Sequence, residues 1–136
     1  LLPKRLDGLP LRHVVEVRHA SFADPAFVKM CRDRGVAICL ADHATYPLIP
    51  DITADFVYAR LMTGSDDIET AYEPKDLDLW ATRFGDYAAG KVPGDFQALD
   101  RTGPPEGPRE TFVFFIHEGK VRAPAAAQAF LTRVNK

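Results

Sequence analysis

The sequence predicts an α/β fold in which four parallel strands, covered by helices, make up half of an eight-stranded (β/α) barrel. Over the 136 residues, strand-like and helix-like segments follow one another in the order β, α, β, loop, β, α, β, α. The strand-like segments are nearly continuous apolar runs, which is typical of parallel strands buried on both faces. Four strands and three helices are half of a barrel whose usual length is about 250 residues.

The first unit is a strand followed by a helix. Residues 13–18 alternate in the manner of a strand, and Asp24 with Pro25 supplies an N-cap and a proline at the first helical position. The residues predicted to form the apolar face of this helix are Phe27, Met30 and Cys31. Gly35 suits the left-handed position that ends a helix, and residues 36–41 form a second, nearly all apolar strand.

The next unit begins with a polar loop over residues 42–55. It leads to a third strand over residues 56–62, after which Pro74 opens a helix that runs to about Gly90. The predicted apolar stripe of that helix consists of Leu77, Trp80, Phe84 and Ala88.

The last unit has the strongest strand signal in the chain, over residues 111–117. Pro124 opens the final helix, and the residues predicted to face inward are Ala127, Phe130, Leu131 and Val134. Residues 91–109, rich in Pro and Gly, are predicted to be a surface loop on the N-terminal face of the barrel. We treat residues 1–136 as a single segment of one domain.

Composition excludes several classes of partner. The net charge is −2 and no block of like charges occurs, so the basic footprint of a nucleic-acid-binding protein is missing. No apolar run approaches the roughly 18 residues that span a bilayer, so we expect no membrane partner. The two cysteines, Cys31 and Cys39, fit buried apolar positions better than a disulfide, which favours the cytoplasm.

Side chains of a strand alternate between the helices and the barrel interior. The helix side of the first strand is assigned to Val15 and Val17. The helix side of the third strand is assigned to Val57, Ala59 and Leu61. In the last strand Phe112, Phe114 and Ile116 are assigned to the helix side. The side chains then expected in the interior are Val14, Glu16, Arg18, Phe56, Tyr58, Arg60, Thr111, Val113, Phe115 and His117.

Barrel interiors are normally filled by branched aliphatic side chains, so the charged and polar members of this set indicate a site. The residues expected to bind a ligand are Arg18, His19, Tyr58, Arg60 and His117. Glu16 and Asp42 are the candidate catalytic carboxylates, and both would lie near the C-terminal ends of their strands, where barrel active sites are built. An ion-pair network that only holds strands together would use the same residue types.

The chemistry of this site is expected to involve a small anion. Two arginines offer planar forks that suit a phosphate or a carboxylate. His19, His43 and His117 stand among carboxylates, but no spacing typical of a metal site occurs, so no metal ligands are assigned and the cofactor is unknown. Nucleotide-binding and serine-hydrolase motifs do not occur either.

Four separated motifs resemble the YecE-like family, a domain of unknown function with a TIM-barrel-like fold that some classifications relate to sugar isomerases. These motifs are Glu16-Val-Arg18-His19 with Ser21, Asp42 after the second strand, Thr53 to Arg60 with Tyr58, and Phe115 through Ala123-Pro124-Ala125-Ala126-Ala127. The resemblance extends from about Leu11 to Val134, and it implies that the chain is the C-terminal half of the barrel. Ile116-His117 and Met62-Thr63 depart from the family pattern, which often has an Asn-Asn pair and a histidine there.

A half barrel exposes two edge strands and an interior surface. We therefore expect either a homodimer or the missing N-terminal half of the barrel to cover them. Two functions remain open: an enzyme, similar to a sugar isomerase, acting on a small anionic or sugar-like metabolite, and a non-catalytic module that binds a ligand or partner through the same rim while its charges serve structure.

Overall fold

The computed structural model describes residues 2–103, 106–116 and 120–136. The described strands are β1 (Arg5–Leu6), β2 (Leu9–Pro10), β3 (Val14–Val15), β4 (Ala37–Ile38), β5 (Leu40–Asp42), β6 (Phe56–Leu61) and β7 (Glu110–Phe115). The described helices are α1 (Pro25–Asp33), α2 (Pro74–Ala88) and α3 (Ala123–Val134), with a 3₁₀ turn at Ala20–Phe22. Among these helices, none combines the length and the apolar character needed to cross a bilayer.

Parallel pairing organises the strands that follow the short antiparallel hairpin β1–β2. β3 pairs with β4, and β6 lies between β5 and β7, all in parallel. Cys39 alone separates β4 from β5, and its N–H donates to the carbonyl of Val15 at 2.8 Å. The strands therefore follow the order β3, β4/β5, β6, β7, and the predicted α/β class with parallel sheets is confirmed.

One face of the sheet is covered by α2 and α3. The core on this side contains Ala59 and Leu61 of β6, which pack against Leu77 and Phe84 of α2 and Phe130 of α3. The predicted stripe of α2 holds for Leu77, Trp80 and Phe84, but Ala88 is exposed. Tyr87 takes the inner position instead, because its hydroxyl donates to the buried carbonyl of Pro50 at 2.7 Å.

α1 starts and ends where the sequence predicts. Asp24 caps it by accepting from the N–H of Ala26 at 2.7 Å, and Gly35 follows it with a φ of +64°. The buried residues are Val28 and Cys31, whereas Met30 is 44% exposed, so the predicted apolar face was wrong at Met30. At about 100° per residue, Met30 lies more than a third of a turn away from the centre of the face that Val28 and Cys31 share.

α3 buries only part of its predicted apolar face. Ala126 and Phe130 are buried, but Leu131 is 53% exposed and Val134 is exposed as well, which corrects the prediction for both. Among the described elements, α3 packs mainly against α2 and β7. A groove of about 760 Å³ is lined by residues of α2, β7 and α3, and Leu131 and Val134 are among them.

The predicted orientation of the last strand was wrong. Val113 and Phe115 pack into the helix-side core. Phe112 lies beside Tyr58 in the register of β6 and β7, and Phe114 lies beside Arg60, so both aromatic rings occupy the opposite face. Apolar side chains point to both faces of β7, so hydrophobic alternation does not indicate which face meets the helices. His117 lies outside the described residues.

The described parts of the segment 91–109 contain neither helix nor strand. Pro93 is fully buried, and the carboxylate of buried Asp51 accepts from the N–H groups of Leu99 and Asp100 at 2.9 Å each. The Asp100 carboxylate in turn pairs with Arg32 of α1 at 2.9 Å. A buried carboxylate therefore ties this segment to the loop that precedes β6.

Replacing Asp51→Ala should lower the free energy of unfolding by about 1–3 kcal/mol, because two part-buried N–H groups lose their acceptor. The matched control is Asp55→Ala, since Asp55 is an exposed aspartate four residues along the same loop. Urea unfolding at pH 7 measures the free energy of unfolding of both variants. Equal losses in the two variants would contradict the anchoring role of Asp51.

Candidate functional site

Three charged side chains meet at the C-terminal ends of β3 and β6. Glu16 Oε1 accepts from Arg60 Nη1 at 2.5 Å, and Glu16 Oε2 accepts from Arg18 Nη2 at 2.9 Å and Nε at 3.1 Å. Arg60 is held by β6, while Glu16 and Arg18 directly follow β3 with side chains on the same face. We call Glu16, Arg18 and Arg60 the rim cluster. Its three members are among the five charged and polar side chains, with Tyr58 and His117, that strand alternation predicted to face the same interior.

The rim cluster keeps Glu16 ionised. Burial of this side chain, which is 16% exposed, raises the pKa of its carboxyl group. Hydrogen bonds and charge from Arg60 and Arg18 outweigh burial, and the pKa lies below the ordinary value for glutamate. A carboxylate with both oxygens engaged and a lowered pKa is a weak proton acceptor, which favours a role for Glu16 in holding the two guanidinium groups.

Cys39 lies beneath this cluster, with Sγ 3.9 Å from Glu16 Oε1. Burial and the neighbouring Glu16 charge raise the pKa of the Cys39 thiol to about 12. The thiol is therefore protonated at neutral pH and does not serve as a nucleophile. Cys31 and Cys39 are both free and buried, as the sequence predicts.

An aromatic stack adjoins the exposed side of Arg18. The guanidinium carbon lies 5.0 Å from the centroid of the Tyr46 ring, and the His43 ring stacks on Tyr46 at 3.6 Å. His43 Nδ1 accepts from the N–H groups of Thr45 at 3.1 Å and Tyr46 at 3.2 Å. In the neutral ring the proton must then be on Nε2, so His43 offers a hydrogen-bond donor.

His19 is held in a similar way. Its Nδ1 accepts from the N–H of Ser21 at 3.2 Å and lies 2.8 Å from the hydroxyl of Ser21, in the turn that follows Arg18. The neutral ring again carries its proton on Nε2. The loops after β3 and β5 thus add N–H donors to the edge of the sheet where the rim cluster lies.

Asp42 belongs to a different group of side chains. Its Oδ2 accepts from the hydroxyl of Thr63 at 2.6 Å and from that of Tyr72 at 3.2 Å. In the register of β5 and β6, Asp42 lies beside Leu61, which faces the helices, while Ala41 lies beside Arg60. Asp42 and Glu16 therefore point to opposite faces of the sheet. The structure does not bring these two candidate carboxylates together.

A pocket of about 300 Å³ lies next to Asp42. Thr63, Tyr72, Glu73 and Trp80 contribute to its lining. Burial raises the pKa of the Tyr72 hydroxyl, so the hydroxyl stays protonated at neutral pH and donates a hydrogen bond to Asp42. Sequence reasoning missed Tyr72 and Tyr46, because both lie in loops without hydrophobic periodicity.

Tyr58 occupies the same face of β6 as Arg60, two residues earlier. Its ring lies 5.0 Å from the ring of Phe114, which contributes packing beside the rim cluster. His117, the remaining candidate ligand-binding residue, lies outside the described residues. Within the described chain, no group of three or more His, Cys, Asp or Glu side chains is placed to hold a metal ion.

Fold and site together define an α/β protein with parallel sheets and a charged cluster at the carboxyl ends of its strands. The family model DUF72, described as a protein of unknown function, matches residues 2–136, so the chain belongs to the DUF72 family. This agrees with the resemblance to the YecE-like family. Comparison with curated proteins and comparison with solved structures returned no match.

The lowered pKa of Glu16 has a consequence for stability against pH. Glu16 stabilises the fold above its unfolded-state pKa of about 4.3, and this contribution is lost as the pH falls through the lower folded-state value. We expect Glu16→Gln to lower the free energy of unfolding by about 1–2 kcal/mol at pH 7, between the values for exposed and buried ion pairs. The difference from wild type should shrink below about pH 4.3.

Urea unfolding from pH 7 to pH 3 measures this difference. The exposed Glu69 provides the control variant Glu69→Gln, which should match wild type throughout. A pH-independent effect of Glu16→Gln would mean that the carboxylate charge is not what the two arginines stabilise.

Proposed function

We propose that the rim cluster binds the phosphate or carboxylate group of a small, sugar-like metabolite. The observation that carries this proposal is the charge count: two guanidinium groups share one carboxylate, which leaves one positive charge in excess. A ligand anion would balance that charge, and charge-assisted hydrogen bonds to arginine are among the stronger ones in proteins.

The accessibility of the arginines supports this proposal. The Arg18 side chain is 62% exposed, and only its Nε and Nη2 donate to Glu16. Arg60 uses Nη1 for Glu16. Each guanidinium has five N–H donors, so donors remain for a ligand. The Nε2–H groups of His19 and His43 belong to the loops at this edge, where they could add neutral donors.

The location of the cluster supports the proposal as well. We propose that the sheet is half of a (β/α) barrel, because parallel strands alternate with helices and the polar side chains gather at the carboxyl ends of the strands. In such barrels ligands bind at that end. The two free, buried cysteines favour a reducing compartment such as the cytoplasm.

An isomerase-like enzyme would need a proton acceptor beside the bound ligand. Glu16 is poorly suited to this step, and Asp42 points to the other face. With Nδ1 engaged, the neutral rings of His19 and His43 present an N–H donor, which would orient a ligand but not accept its proton. The alternative is a non-catalytic module that binds a ligand or partner through the same rim, while its charges also serve structure. Both Glu16 oxygens are engaged and unavailable as a base, which favours this module over the enzyme.

Titration calorimetry with inorganic phosphate, glucose 6-phosphate, citrate and neutral glucose tests ligand binding. We expect the anions to bind and glucose to bind no better than buffer. Arg18→Gln should weaken anion binding about tenfold to hundredfold, the range expected for lost charge-assisted hydrogen bonds. Arg34→Gln, which removes an exposed arginine at the end of α1, should leave the affinity unchanged.

Higher salt should weaken binding in wild type, since Arg18 is exposed to solvent. Absence of binding by every anion, or equal weakening by Arg18→Gln and Arg34→Gln, would contradict the proposal and favour purely structural charges. If NMR detects conversion of glucose 6-phosphate to an isomer in the presence of the protein, the protein is an enzyme and not a non-catalytic module.

A further inference from the structure

Two different kinds of contact hold the guanidinium group of Arg18. Its Nε and Nη2 donate to Glu16 at 3.1 and 2.9 Å, and both N–H groups converge on the same oxygen, Oε2. A single acceptor atom fixes the distance between the two side chains but not the tilt of the guanidinium group, which can pivot about that atom. Most of the Arg18 side chain is exposed, so Glu16 alone leaves it more than one orientation.

The ring of Tyr46 supplies the second contact. The guanidinium carbon of Arg18 lies over this ring, 5.0 Å from its centroid, which is within the distance at which an aromatic ring attracts a cation. A pivot about the Glu16 oxygen would carry the guanidinium group away from the ring and lose this attraction. Glu16 and Tyr46 together therefore restrict a motion that Glu16 alone permits.

Tyr46 is itself held in place by His43, which directly follows β5. The two rings stack with their centroids 3.6 Å apart and their planes 10° from parallel. The backbone N–H of Tyr46 also donates to His43 Nδ1 at 3.2 Å, so both the ring and the backbone of Tyr46 are tied to the same residue. All of these contacts join residues 16–18 to residues 43–46 and are internal to the described chain.

We propose that Tyr46 is a positioning residue of the anion site, which acts through Arg18 and does not contact the ligand. The hydrogen bonds to Glu16 use the Nε and Nη2 side of the guanidinium group, which leaves Nη1 and the second N–H of Nη2 for an anion. Because Tyr46 orients these donors before the ligand arrives, less side-chain freedom is lost on binding and the affinity is higher. This inference rests on the proposed function, whose anion site it completes.

Calorimetric titration with inorganic phosphate measures the effect on affinity. Tyr46→Leu should weaken phosphate binding about twofold to fivefold, the range expected for an exposed cation–π contact. Tyr46→Phe keeps the aromatic ring and should bind phosphate as wild type does. The matched control is Phe22→Leu, which removes an exposed ring that packs on Phe27 in the turn after Arg18, and it should leave the affinity unchanged.

A double-mutant cycle with Arg18→Gln distinguishes positioning from direct contact. In the Arg18→Gln protein, Tyr46→Leu should cause no further loss of phosphate affinity, because the side chain through which Tyr46 acts is already gone. A further loss of the same size would overturn the inference, since Tyr46 would then act on the ligand or on the fold of its loop. A Tyr46→Phe variant as weak as Tyr46→Leu would overturn it too, because the hydroxyl group would be what matters.

NMR relaxation of the Arg18 Nε–H group gives a readout that needs no ligand. Its order parameter should fall in Tyr46→Leu and keep the wild-type value in Tyr46→Phe and Phe22→Leu. An unchanged order parameter in Tyr46→Leu would overturn the positioning role even where wild type binds phosphate, and the anion site would then stand without it. A lowered order parameter in a protein whose wild type binds no phosphate would confirm that Tyr46 orders Arg18, while the proposed function and the gain in affinity would both fail.

Discussion

The ion pair between Glu16 and Arg60 connects the first strand of the sheet to the third, across the strand that carries Cys39. An arginine in the middle strand of a parallel sheet has to find a carboxylate, because a part-buried charge without a partner destabilises the fold. Glu16 meets this requirement, and its second oxygen then fixes Arg18 at the edge of the sheet. The geometry of the candidate site is thus a consequence of neutralising Arg60.

Local signals in the sequence were sufficient to predict the order of the main helices and strands. Pro25 and Pro74 mark helix starts that the structure confirms. Proline is tolerated in the first turn because the N–H groups there have no hydrogen-bond acceptor within the helix, so the missing N–H of proline costs no helical hydrogen bond. The hairpin β1–β2 went unpredicted, although its turn residues Asp7 and Gly8, both with positive φ, are a typical hairpin signal. The orientation of β7 could not be predicted, since a strand with apolar residues on both faces has no alternation to interpret.

The candidate site was predictable where strand alternation applied. Glu16, Arg18 and Arg60 follow from the parity of β3 and β6, both of which have one clearly apolar face. Asp42 was grouped with them because it follows a strand, but its parity, set by the register with Leu61, directs it toward the helices. Tyr46 and its stack with His43 depend on loop geometry, which the period of hydrophobic residues does not encode.

The two faces of the sheet differ in the kind of side chain that they carry. The helix-side core is made of apolar and aromatic side chains such as Leu61, Leu77 and Phe130, whose burial needs no ligand. The opposite face combines aromatic side chains such as Tyr58 and Phe114 with the rim cluster, in which two guanidinium groups share one carboxylate. An anion that balanced this charge would bind on the face away from α2 and α3, so its binding would require no loss of the helix-side packing.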